Sequence, residues 1–190
     1  MIRVKRPTIP PRGSGTRNVA KCRELSEKAA ALGNEVSKLR LKRLAYLTAE
    51  DKGDFAKAVR LREVFVADIE ARETTRTGAA GKDTADSMLG LSWDALLARN
   101  NLKALAVAER AHKLDPSNVA IETNHAHALM FLHREVEARV IYRQNKGKQV
   151  YSNSDKSWQT VIAEDFAEFR KRGIAHPMMA EIEKEMSASQ

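Results

Sequence analysis

The stretch from Leu102 to Asn118, LKALAVAERAHKLDPSN, restricts the fold more tightly than any other part of the chain. Ala104, Ala108 and Ala111 recur at spacings of four and three, which keeps them on one face of a helix. Side chains this small let a neighbouring backbone come close, so the face is a packing surface. Leu114 then leads into Asp115-Pro116. Proline cannot continue a helix, and it turns the residue before it away from helical geometry. The stretch predicts a close-packed helix with its stop written in.

The rest of the composition extends that reading to the whole chain. Of 190 residues, 43% are hydrophobic but only 5% aromatic, and Val/Ile/Thr alternation of the kind strands need is hard to find. Ala, Leu, Glu, Lys and Arg dominate, which predicts an all-α protein. Its length suits one sizeable core or two small units. No apolar run approaches the ~20 residues needed to span a bilayer. Cys22 is the single cysteine and has no internal disulfide partner. The charged amino terminus is not followed by the apolar segment of a secretory signal. Both features point to a reducing cytoplasm.

The net charge of +8 is confined to one end. Residues 1–50 hold 12 Lys/Arg against 4 Asp/Glu, whereas the remainder is balanced at 21 of each. Residues 1–17, MIRVKRPTIPPRGSGTR, can build no core and read as a disordered basic Pro/Gly arm. Pro7 to Arg12 also fits the short PxxPxR pattern of polyproline ligands. Arg3, Lys5, Arg6, Arg12 and Arg17, with Lys38, Arg40, Lys42 and Arg43, form a basic patch able to meet phosphates, anionic lipid or an acidic partner. Tyr46 is the one nearby aromatic available for base stacking, which disfavours nucleic acid.

From about residue 18 the pattern turns helical. Cys22, Leu25, Ala29, Leu32, Val36, Leu39, Arg43 and Tyr46 alternate steps of three and four, a heptad seam over 18–47 that offers a surface for self-association. Gly33 weakens that helix without ending it. After the break TAEDKGD, Phe55, Val59, Val66 and Ile69 mark a second helix. Residues 18–75 therefore form a long helical hairpin, and 76–84 a linker. Two further hairpins fill 85–152, and the stripe Trp158, Val161, Ile162, Phe166 and Phe169 opens a capping region over 153–190.

A shift of 34 residues carries Ala104 to Ala138, Ala108 to Tyr142 and Ala95 to Leu129. A helix-turn-helix unit of that length resembles the tetratricopeptide repeat (TPR) family. Leu91, Ala104, Ala111 and Pro116 carry the likeness in one unit. Asn124, Ala126, Leu129, Phe131, Ala138 and Tyr142 carry it in the next. Gly53-Asp54-Phe55 and Ala58 look like a degenerate third unit within 40–72, placed 46 residues before Ala104. The chain departs from the family at Arg99, Asn100 and His133, where a turn glycine is usual. The resemblance implies a right-handed stack of antiparallel helix hairpins, an α-solenoid, that binds a protein or peptide in a concave groove. On this chain the groove would present Asp94, Glu122, Asn124 and His125, although the Asn124 amide equally suits a tie between adjacent helices. The carboxylate-gripping clamp of some family members is not matched, because residues 85–98 contain no Lys or Arg.

No grouping of reactive residues stands out. GAAGKDT (Gly78 to Thr84) lacks the leading glycine of a phosphate loop, and Asp83 stands where Ser or Thr should follow Lys82. His125 and His127 point to different faces of a helix, so they do not chelate a metal together. The expectation is a non-catalytic scaffold or adaptor, without cofactor or metal. Two alternatives stand beside it: an anionic-surface or nucleic-acid binder working through the basic segment, and an accessory region of a larger enzyme system.

Overall fold

A computed structural model describes residues 16–151 and 156–187, and every regular element among them is a helix. The chain divides between Leu44 and Ala45 into two compact units. In the first, α1 (Thr16–Ala31) is followed by a turn and by the start of α2 (Glu35–Asp51). The continuous helix expected over 18–47 is thus corrected. Gly33 takes φ 86, its N–H bonds Ala30 O, and Asn34 N–H bonds Ala29 O, the paired bonds of a left-handed helix stop. The Asn34 side chain then accepts from Ser37 N–H at 2.8 Å and caps α2. A glycine free at positive φ and a good cap together outweigh the seam. Leu25, Leu32 and Val36 consequently lie exposed rather than in a seam.

The second unit holds the end of α2, then α3 (Phe55–Thr77), α4 (Lys82–Leu97), α5 (Asn101–Leu114), α6 (Val119–Phe131), α7 (Glu135–Gln144), α8 (Trp158–Lys171) and α9 (Met178–Ser187). Successive helices α3 to α7 each pack on the next, and α4 also packs on α6. Helix α5 ends at Leu114, before Asp115-Pro116. The expected linker shrinks to residues 78–81, because α3 runs to Thr77 and α4 begins at Lys82.

The left-handed stop seen at Gly33 recurs at Gly53, Arg99, His133 and Gly173, and at three of these a buried alanine follows at one spacing. Gly53, Arg99 and His133 have φ 73, 58 and 58, and each donates its N–H three residues back. The following residues, Asp54, Asn100 and Arg134, donate five residues back to Ala49, Ala95 and Leu129. In each unit the alanine five residues past the turn, Ala58, Ala104 or Ala138, is fully buried. Two of these turns lack the glycine that adopts such a φ without steric cost. Holding Arg99 and His133 there costs on the order of 1–2 kcal/mol each, which packing on either side must offset.

The core gathers toward α6, whose residues 120, 121, 123, 124 and 126–130 are all buried. Trp158, Phe166 and Phe169 of α8 and Met178, Met179 and Ile182 of α9 close that end. Phe169 packs on Trp93 and Phe131, with ring centroids 5.1 Å from each. The α7–α8 loop is drawn together by an isolated bridge between Gln149 and Ser157.

Candidate functional site

Two of the expected groove residues face neighbouring helices. Asp94 is fully buried, and its carboxylate accepts from Arg62 Nε at 2.7 Å. Arg62 also pairs with Glu50 and lies 3.9 Å over the Tyr46 ring, so one guanidinium joins α2, α3 and α4. Gly90 makes room for it, because a Cβ there would sit 2.1 Å from Arg62 Nη1. Burial pushes the Asp94 carboxyl up; Arg62 pulls it back, and Glu50 adds to the rise, leaving it above the ordinary carboxylate range. Asn124 donates its amide to Leu89 O at 2.8 Å and Ser92 Oγ at 2.7 Å. The reading of Asp94 as a groove-lining residue is therefore corrected, and of the two roles open to Asn124 the bonds match the helix tie: both side chains hold α4 to its neighbours.

Glu122 and His125 sit nearer the surface. His112 Nδ1 of α5 lies 2.6 Å from one Glu122 oxygen, and His125 Nδ1 lies 3.5 Å from the other. Burial pushes Glu122 up, but the two imidazoles beside it more than offset that and hold it low. His127 is separate and fully buried. Its Nδ1 is 2.8 Å from Tyr142 Oη, and its Nε2 is 3.1 Å from Asp165 Oδ2. The carboxylate can only accept, so Nε2 carries the proton and the tyrosine hydroxyl donates to Nδ1. The order Asp–His–OH resembles a nucleophile relay. Tyr142, however, is fully buried, and its hydroxyl is pushed far up by burial and by Asp165. The relay is a satisfied core network.

The Gly78–Thr84 stretch carries its own anion. Glu73 accepts from Gly81 N–H (2.8 Å), Asp83 N–H (3.1 Å), Thr84 N–H (2.9 Å) and the Thr84 hydroxyl (2.6 Å). These are the donors a phosphate would take at a helix N-terminus. A carboxylate eleven residues upstream fills the place. Burial raises its pKa, yet the four bonds outweigh that and hold it at about 2.

Lys38 pairs with Glu35 at 2.6 Å, Arg40 and Arg43 are exposed, and Lys42 is half-buried. Arg3, Lys5, Arg6 and Arg12 lie outside the described residues, as does the Arg17 side chain.

Two hollows lie on the later helices of the hairpins. One, of about 430 Å³, runs between α3 and α5 over α4, with Val66, Met88, Leu91 and Val107 among its lining. Lys103–Glu63 and Arg110–Glu70 bridge α3 and α5 there, one pair seven residues beyond the other. A smaller one, of about 310 Å³, follows Val136 and Val140 along α7. Leu102 of α5 and Val136 of α7, 34 residues apart, are 73% and 80% exposed. Apolar side chains at one repeat position therefore face solvent in both units.

In comparisons with known proteins, no family model matches this chain, and neither a curated protein nor a solved structure does. Sequence reasoning missed Arg62, Glu73, His112, Asp165 and the approach of His133 to His176. Only Glu73 left a signal, an acid shortly before a glycine-rich helix start.

Proposed function

We propose that the chain is a TPR-like α-solenoid working as a non-catalytic protein-interaction module, and that its docking face is the side of α3, α5 and α7. The observation that carries this reading is that, of the five such stops among the described residues, those at Gly53, Arg99 and His133 are each followed five residues on by a buried alanine, Ala58, Ala104 and Ala138. Such a unit cannot bury its own apolar face and stacks on the next. The packing of α4 on α6, first helices of successive units, supports that stacking. With Asp94 and Asn124 committed inside, the α3–α5 hollow and the exposed Leu102, Val136 and Val140 offer a surface for a partner. Apolar side chains rimmed by Glu63, Lys103, Glu70 and Arg110 suit an amphipathic protein segment.

Ala106 is exposed and lines the hollow, so Ala106→Arg fills it without entering the core. The test compares proteins captured by wild type, by Ala106→Arg and by a chain lacking residues 1–17, alongside binding to RNA and anionic vesicles. A partner lost in Ala106→Arg and kept without the arm is the expected result. Capture indifferent to Ala106, or binding to RNA or vesicles that follows the arm, overturns the proposal.

A further inference from the structure

His133 and His176 are 43 residues apart in sequence, yet His133 Nδ1 lies 3.3 Å from His176 Nε2. Glu135 Oε1 is 3.7 Å from the same Nε2, and one ligand atom from each of the three residues falls within 4.8 Å of the other two. They come from three places: the left-handed α6–α7 turn, the first turn of α7, and the α8–α9 connection just before Pro177. We propose that His133, Glu135 and His176 form a zinc site that ties the α6–α7 turn to the α8–α9 connection.

The donor set is two imidazoles and a carboxylate, which suits zinc and leaves a fourth position open. Ligand arms of about 2.1 Å give tetrahedral edges of about 3.4 Å, whereas an octahedral face has edges of about 3.0 Å. The two separations to His176 Nε2, 3.3 and 3.7 Å, are closer to the tetrahedron. His176 is 9% exposed and packs edge-on to Phe131 at 6.3 Å, while His133 and Glu135 are exposed and leave an entry path.

The backbone adds a second observation. Of the left-handed stops at Gly33, Gly53, Arg99, His133 and Gly173, two are not glycine. The side chains of those two both reach the α8–α9 connection: Arg99 donates to Gly173 O at 2.9 Å, and His133 meets His176. A strained φ at His133 is thereby coupled to what its ring can reach.

Proton placement sets the strength. His176 Nδ1 accepts from Met178 N–H at 3.2 Å, so without metal its proton sits on Nε2 and points to His133 Nδ1. Coordination through Nε2 moves that proton to Nδ1 and gives up the Met178 bond; the ring stays neutral. His133 Nδ1 already presents its lone pair. Zinc is therefore held more loosely than where acceptors hold both imidazoles.

The experiment uses the untagged full chain with zinc by calorimetry, and with cobalt by visible absorption. One ion per chain is expected, with tetrahedral cobalt bands and a zinc-dependent rise in Tm. His133→Gly keeps the turn, since glycine holds the same φ at three sister positions, and weakens zinc by more than about tenfold. Glu135→Gln leaves the turn untouched and loses the cobalt bands even should His133→Gly misfold. Glu122→Gln, in the other histidine cluster, changes nothing. Wild type that binds no better than Glu135→Gln, or binding lost in Glu122→Gln, overturns the site.

Discussion

Replacing Glu73 by glutamine tests the cap that joins α3 to α4. Its carboxylate accepts four bonds and is held at about 2, against an ordinary 4.5. At 1.36 kcal/mol per unit that difference is worth about 3 kcal/mol, and screening at a helix end near the surface lowers it to about 2. The group's pKa is depressed on folding, so its stabilisation is full above pH ~5 and lost as pH falls toward 2. Glu73→Gln keeps the shape and removes the charge. Urea unfolding followed by Trp93 and Trp158 fluorescence should show a loss of about 2 kcal/mol at pH 7, or about 4–8 °C in Tm. Near pH 2.5 the gap between the two proteins should close to about 0.5 kcal/mol. A gap unchanged with pH, or absent at pH 7, would refute the idea that a charged carboxylate caps α4.

Other outcomes follow from particular contacts. Arg62→Met leaves Asp94 buried without its partner and should cost about 3 kcal/mol; Gly90→Ala should also destabilise, and much less in the Arg62→Met background, a coupling a double-mutant cycle reads directly. Tyr142→Phe strips His127 Nδ1 of its donor and should cost about 1–2 kcal/mol by urea titration; an unchanged midpoint would deny the network a structural role. Exposed Leu25, Leu32 and Val36 should drive weak self-association that Leu32→Glu reduces in light scattering. A strict monomer across a wide concentration range would count against it.

The packed alanines at 104, 108 and 111 were legible because helical spacing and side-chain size are local properties, and all three are buried. The helix stop at Asp115-Pro116 was legible for the same reason. Gly33 was misjudged because a heptad count registers apolar positions and overlooks how well glycine and Asn34 end a helix. Asp94 was misassigned, and Asn124 stood between two roles, because helical periodicity gives a direction but does not say what lies there. Their partners, Arg62 of α3 and the Leu89–Ser92 segment of α4, stand 32 to 35 residues away.

The sequence by itself determined the helical class, the register of the repeated alanines and the confinement of charge to the first quarter. Each follows from spacing, propensity or counting within a window. Tertiary structure alone decided which polar groups became architecture. Arg62 reaches Asp94 only across packed helices, Glu73 finds its helix N-terminus only after α3 turns back, and His133 meets His176 only when α9 folds against α7. Helical order is a short-range property of the backbone, whereas the fate of a buried charge depends on which distant donor the packing brings within about 3 Å. That is why the alanine stripe could be read from the chain and the histidine–glutamate cluster could not.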